Sequence, residues 1–328
     1  MPQPFRLSRR ATVLALPALL LGRAALAAEP ETVNGVVIGK DGWLFAGFDA
    51  RRAVNPAMSQ QVMPVVQGVL QALKAKGIET TLALIPPRSR VYADALPAGA
   101  EQSATVQARY AALVREYTAA GALVPDLAAA MAQARQRDPA TLLYLKGDSH
   151  WTGEGAAVAA AECARQMTAR FKPTPSAKPG VTLGKPVETD QPYDLVRLLP
   201  PPRRGAYPDQ TYFVRQPAPA AGLLAEDDAA DVAVVGNSYM QPRYGFANEL
   251  SAALNRPVSL TWEVNTVGPY GTLLKWMRSE GFRRQRPKYL VWTMLELDAE
   301  LLPDRQDIWG QAAIKPAALL AEVNRLLG

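Results

Sequence analysis

The chain has 328 residues, 48% of them hydrophobic and 20% charged, which is the composition of a globular protein with material for a sizeable core. Its formal net charge is +6, but four arginines (Arg6, Arg9, Arg10 and Arg23) precede the first acid, Glu29, and without them the balance is +2, too small to argue for nucleic acid. A single cysteine, Cys163, excludes an intramolecular disulfide, and with a single histidine, His150, no zinc-ligand cluster of the usual kind is expected. Neither GxxxxGK[ST] nor GxGxxG occurs, so no nucleotide cofactor is expected.

The chain opens on a basic stretch, an apolar run and small residues up to Ala27 and Ala28, the parts of a cleavable export signal. Ser8-Arg9-Arg10 resembles a twin-arginine signal. The apolar run, residues 11–21, is too short to cross a hydrocarbon core of about 30 Å. Residues 1–28 are therefore read as an export signal, residues 29–328 as one catalytic domain, and the periplasm as its location.

Beyond the signal, VVIGKDGWLFAG reads as a hairpin turning at Lys40-Asp41-Gly42. A helix is predicted over 58–76, stopped by Gly77, and TTLALIPP reads as a buried parallel strand ended by two prolines. Helices follow over 103–120 and 126–137, with ALVPDL as a short strand between them. LLYLKGDSHWTGEG leads into an Ala-rich helix over 155–170, with Thr152 as its N-cap. Within that helix Cys163 reads as a small buried hydrophobe. Prolines and polar residues from about 172 to 228 read as an irregular insertion in which only YFVRQ suggests a strand. Regular alternation then resumes: strands at DVAVV, SLTWEV and KYLVWTML, a helix over 272–282 and a last helix over 315–327. Strands apolar on both faces, alternating with helices, predict an α/β fold with a mainly parallel sheet flanked by helices.

General-base chemistry near neutral pH calls for an imidazole, and His150 is the one available. In an extended segment residues two apart share a side, so Asp148 can lie beside the ring and fix its tautomer. The alternative is a structural Asp/His pair that caps the following helix. Far downstream, DVAVVGNS ends a strand in Gly236-Asn237-Ser238, at the carboxyl end where open α/β sheets bind ligands. Gly236 permits the tight turn, and Ser238 would sit among backbone N–H groups at a helix start, suited to an oxyanion. A plain helix cap is the alternative there too.

Together, VVIGKDGWLFAG, LIPPRSRVY, YLKGDSHWTGEGA, VVGNSYM and PYGTLL…PKYLVWTMLE resemble, in that order over roughly residues 35 to 300, the alginate O-acetyltransferase family of the AlgJ and AlgX type. The catalytic domain of that family is similar to the SGNH hydrolases, which implies a three-layer fold with Asp148, His150 and Ser238 in the triad positions. The resemblance further implies a polysaccharide acceptor and a membrane-bound acyltransferase (MBOAT-type) that delivers acetyl groups. Asn237 stands where SGNH-type motifs often carry Asp, Arg88 where the family often has lysine, and no carbohydrate-binding module is expected after the last helix. Oxyanion or substrate contacts are sought at the Ser238 N–H, Asn237, Tyr239, the turn Tyr270-Gly271-Thr272 and Arg88; Trp43 and Trp151 would line a sugar groove or be buried. Three readings stay open: transfer to a sugar, hydrolysis by an acetylesterase, and a non-catalytic polysaccharide-binding subunit.

Overall fold

In the computed structural model, residues 29–50, 53–190, 193–218 and 230–328 are described, and the export signal expected at 1–28 lies outside them. The strands are β1 (Thr32–Val33), β2 (Val36–Ile38), β3 (Leu44–Ala46), β4 (Glu79–Ile85), β5 (Leu183–Asp190), β6 (Thr211–Pro217), β7 (Val232–Gly236), β8 (Val258–Trp262) and β9 (Tyr289–Leu295). The helices are α1 (Pro56–Ala75), α2 (Arg88–Val91), α3 (Ala104–Ala119), α4 (Leu127–Arg137), α5 (Gly153–Phe171) and α6 (Asp194–Leu198), then α7 (Pro201–Arg204), α8 (Phe246–Leu254), α9 (Gly268–Arg278), α10 (Glu280–Arg284), α11 (Gln306–Trp309) and α12 (Pro316–Leu327).

The centre is a four-stranded sheet in the order β4-β9-β7-β8, and every pairing in it is parallel. Side chains alternate across it. Val232, Val234, Val291, Ala83 and Ile85 join one buried cluster with residues of α4, α5 and α8. Ala233, Val235, Leu82, Leu84, Trp292 and Met294 join the other, with α1, α3, α9 and α12. Burial on both faces is why these strands read as unbroken apolar runs. α1 shows the helical side of the same logic: Val62, Val65, Val66, Val69 and Leu73 form its buried stripe. Its start is capped by Asn55 with Pro56 in the first turn, and Gly77, at φ +76°, ends it in a conformation that glycine takes without a steric penalty. The expected hairpin is present, β2 against β3, with Asp41 and Gly42 both at positive φ.

Four expectations need correction. The segment expected to be irregular over about 172–228 holds regular structure from Leu183 on: β5 pairs antiparallel with β6, and α6 and α7 lie between them. The β5 strand is mostly exposed and carries Pro186 at a register shift, so it shows no apolar alternation. ALVPDL contributes only an isolated bridge between Leu123 and Thr81, because Pro125 brings no N–H and Asp126 already caps α4. The helix expected over 272–282 starts at Gly268 and breaks at Ser279, whose side chain accepts the Phe282 N–H and opens α10. The helix expected directly after Ser238 is a short 3₁₀ turn, and α8 begins only at Phe246.

Beyond β9 the chain turns on Asp298, whose Oδ2 accepts the Leu295 N–H at 2.8 Å. Its other oxygen, Oδ1, is buried without a hydrogen-bond partner. Burial lifts this carboxyl from 3.8 to about 7, against the opposing pull of that one hydrogen bond.

Candidate active site

The carboxyl end of β7 carries Ser238. A Cβ on Gly236 would stand 1.9 Å from Thr293 Oγ1, so only glycine lets β7 close on β9 at this point. Asn237 is extended; its Oδ1 accepts the Tyr239 N–H at 3.1 Å and its carbonyl accepts the Met240 N–H at 2.9 Å. These bonds commit both amides to the 3₁₀ turn. With α8 starting eight residues later, little helix dipole acts on Ser238. The Asn237 Nδ2 group is buried and unpartnered.

The loop that carries His150 is held by its own backbone. Tyr144 and Trp151 form an antiparallel bridge, the Leu145 N–H donates to His150 O at 3.1 Å, and the Thr152 N–H donates to Leu143 O at 3.0 Å. Thr152 then caps α5, accepting the Gly155 N–H at 3.1 Å. Two of the three glycines of GDSHWTGEG, Gly153 and Gly155, are required by close approach. A Cβ on Gly153 would meet Phe213 O at 2.0 Å, and one on Gly155 would meet Leu143 O at 2.1 Å. Trp151, fully buried, donates its indole N–H to Tyr239 O at 3.0 Å and stacks on Phe246, which ties the loop to the segment after Ser238.

The two halves meet in one hydrogen-bonded chain. His150 Nε2 lies 2.8 Å from Ser238 Oγ, and His150 Nδ1 lies 2.6 Å from Asp148 Oδ1. An ionised carboxylate only accepts, so the ring proton is assigned to Nδ1, which leaves Nε2 to accept from the serine hydroxyl. Asp148 Oδ1 also accepts the His150 backbone N–H at 3.0 Å, and Oδ2 accepts the Asp194 N–H at 2.8 Å. Burial works to raise the Asp148 carboxyl, but these bonds and the imidazole together hold it below its ordinary value. Tyr244 stacks on the imidazole at 5.2 Å between ring centres, with Tyr239 at 4.8 Å. Such an arrangement can take a proton from a serine hydroxyl and return it to a leaving group.

Asp148, His150 and Asp194 bring three potential metal-ligand atoms within 4.8 Å of one another. Each residue already engages a protein donor or acceptor there.

The other expected residues are placed differently. Arg88 is fully buried. Its Nε pairs with Asp49 Oδ2 at 3.1 Å, and its Nη1 donates to the carbonyls of Leu145, at 3.1 Å, and Asp148. It therefore fastens the loop of the acid to a buried carboxylate. Tyr270, Gly271 and Thr272 lie inside α9 and not in a turn. Tyr270 packs in the cluster on the other face of the sheet with its hydroxyl 3.4 Å from Leu301 O, and Thr272 bonds back to Gly268 O. Tyr239 is buried, with its hydroxyl donating to Ser149 O at 2.5 Å, so it braces the histidine loop. Trp43 and Trp151 are core residues, and Cys163 is buried with its thiol pushed up. Sequence reasoning missed Asp49, Asp194 and Tyr244, none of which stands in a recognisable local pattern.

A mainly parallel α/β sheet with a serine at the end of a central strand, hydrogen-bonded to a histidine on a distant loop, is the architecture of the SGNH hydrolase-like class. The family model described as "SGNH hydrolase-like domain, acetyltransferase AlgX" matches residues 36–296, and the chain belongs to that family. Among its relatives, the probable alginate O-acetylase AlgJ of Pseudomonas syringae pv. tomato is 30% identical over 288 residues, which cover 84% of this chain and 71% of the relative. The AlgJ protein of Pseudomonas fluorescens is 28% identical over 285 residues, covering 84% and 70%. The solved O-acetyltransferase domain of Pseudomonas putida AlgJ superposes with a TM-score of 0.70 at 26% identity, over 89% of this chain and 99% of that one. Pseudomonas aeruginosa AlgX gives 0.63 at 22% identity, over 88% and 66%, a likeness of fold.

Proposed function

We propose that this protein is an O-acetyltransferase that modifies hydroxyl groups of an exopolysaccharide through an acetyl-serine intermediate on Ser238. The observation that carries the reading is the continuous chain Ser238 Oγ, His150 Nε2, His150 Nδ1, Asp148 Oδ1, with links of 2.8 and 2.6 Å. In the first step Ser238 Oγ attacks the acetyl carbonyl of the donor while His150 Nε2 takes its proton. Collapse of the tetrahedral intermediate breaks the bond to the donor's leaving group, which receives that proton. In the second step a sugar hydroxyl attacks the acetyl-serine, again giving its proton to Nε2. Collapse then releases the acetylated sugar and returns the proton to Ser238. Asp148 orients the ring and offsets the imidazolium charge in both steps. The Ser238 N–H is the proposed oxyanion donor, since the amides of Tyr239 and Met240 are used within the turn.

The names of the relatives support a polysaccharide acceptor. The twin-arginine-like sequence at Ser8-Arg9-Arg10 supports export to the periplasm, and an MBOAT-type membrane protein is the proposed source of acetyl groups. The test is turnover of a chromogenic acetyl ester with and without a polyuronate oligomer. Acetylated oligomer is expected, together with a Ser238 peptide heavier by one acetyl group under rapid quench. Hydrolysis with no transfer to any acceptor would replace the transferase reading with an esterase.

A further inference from the structure

We propose that Asp194, on the first turn of α6 in the insertion, is a positioning residue for the reaction: a second carboxylate that holds the Asp148–His150 loop and adds negative charge beside the imidazole. This rests on the acyl-transfer reading above only for its kinetic consequence. The contacts stand independently of it.

Asp194 touches the loop three times. Its backbone N–H donates to Asp148 Oδ2 at 2.8 Å, its Oδ1 accepts the Ser149 N–H at 2.7 Å, and its Oδ2 accepts the Ser149 hydroxyl. That same Oδ2 lies 3.8 Å from His150 Nδ1. The two oxygens of Asp148 are thus divided: Oδ1 faces the ring and Oδ2 is pinned by a residue 46 positions away in the chain. Without the Asp194 N–H, the Asp148 carboxylate can rotate and its free oxygen is left buried without a partner.

The backbone before Asp194 is shaped for this contact. Tyr193 sits at φ +60°, a region that a bulky side chain rarely occupies. The strained residue is tied down: its hydroxyl accepts the Gln210 N–H at 2.7 Å, and Gln210 Oε1 accepts the Lys146 N–H at 3.2 Å. Residues from both ends of the α6–α7 segment therefore grip residues 146–149. A strained backbone held at a functional loop is what a positioning device requires.

Among the described residues, the titratable and charged groups facing the imidazole are few. Asp148 is on its own loop, Asp194 comes from α6, and Tyr239 and Tyr244 come from the segment after β7, with Tyr212 and Arg243 behind Tyr244. The tyrosines are neutral, with burial raising Tyr212, Tyr239 and Tyr244. The local negative charge is carried by the two aspartates.

His150 is the only histidine in the chain, so an NMR titration of its imidazole needs no assignment. The titration is made on Ser238→Ala protein, with and without Asp194→Asn, and needs no turnover. Asn keeps an oxygen for Ser149 and removes the charge. The midpoint is expected to fall by roughly one pH unit, the low end of what a charge at this distance does, because Asp194 is partly exposed. In the Ser238 enzyme, Asp194→Asn should lower kcat several-fold with KM little changed and move the acid limb of the pH–rate profile down with the NMR midpoint. Asp194→Glu should restore the midpoint. An unchanged midpoint in folded Asp194→Asn protein overturns the proposal. If that variant does not fold, Asp194→Ser, a short neutral acceptor, is measured with the same expectation. A shifted midpoint in a protein inactive on every acetyl ester would leave the role of Asp194 standing and remove the acyl-transfer reading.

Discussion

Replacing Asp298 by Asn should make the protein more stable near neutral pH, by an amount that grows with pH. The carboxyl is 1% exposed, has one hydrogen bond from the Leu295 N–H, and has an oxygen with no partner. Its folded value of about 7 stands above 3.8, the value expected in the unfolded chain. Between those two values the folded state holds a proton that the unfolded state has released, so stability is lost as pH rises through this window. At about 1.4 kcal/mol per pH unit the gap is worth on the order of 4 kcal/mol. An asparagine keeps an oxygen for Leu295 and has no charge to desolvate. Urea unfolding of both proteins at several points from about pH 4 to pH 7.5 gives the difference directly. The advantage of the variant should be small at the acid end and approach that magnitude at the neutral end. A difference constant across the window would refute the assignment of a neutral, buried acid at this position.

Three further outcomes follow from the contacts described. Ser238→Ala should reduce acetyl-ester turnover by about 10⁴-fold or more while leaving the melting temperature nearly unchanged; retained turnover would remove Ser238 as the nucleophile. Arg88→Met should strand Asp49 as a buried unpaired carboxylate and release two loop carbonyls, costing about 3–5 kcal/mol in a denaturant titration. In the double variant Arg88→Met/Asp49→Asn much of that loss should return. Gly153→Ala places a methyl 2.0 Å from Phe213 O, and should cost about 1–3 kcal/mol and depress turnover through the adjacent His150 loop, read by thermal melts and steady-state kinetics.

Strands β4 and β7 were legible because they are buried on both faces and so read as apolar runs ended by Pro86 and Gly236. The hydrogen-bonding partners of Ser238 were legible for a chemical reason: one histidine, with an acid two residues before it in an extended loop. What escaped reading was whatever depends on backbone donors or on long-range burial. Asp194 supports Asp148 through an N–H, which every residue but proline has, so no side-chain pattern marks it. Arg88 follows two prolines and precedes Ser-Arg, a run that reads as surface, and only the position of Asp49 makes its burial tolerable. The β5 strand is solvated on much of its length and interrupted by Pro186, so it lacks the period-2 signal on which strand reading depends.

The close seat of Gly153 against Phe213 O has a thermal consequence. Ser238 is founded on the central sheet, whereas the loop of His150, though tied inward through Trp151 and Arg88, is also propped from outside by the β5–β6 ribbon and by α6. These two footings need not give way together. The ribbon is largely exposed and has few buried side chains to hold it, so on warming it should loosen before the sheet does. Acetyl-ester turnover should therefore fade at a temperature below that at which the core melts, and return on cooling, as the His150 ring swings out of line with a Ser238 that has not moved.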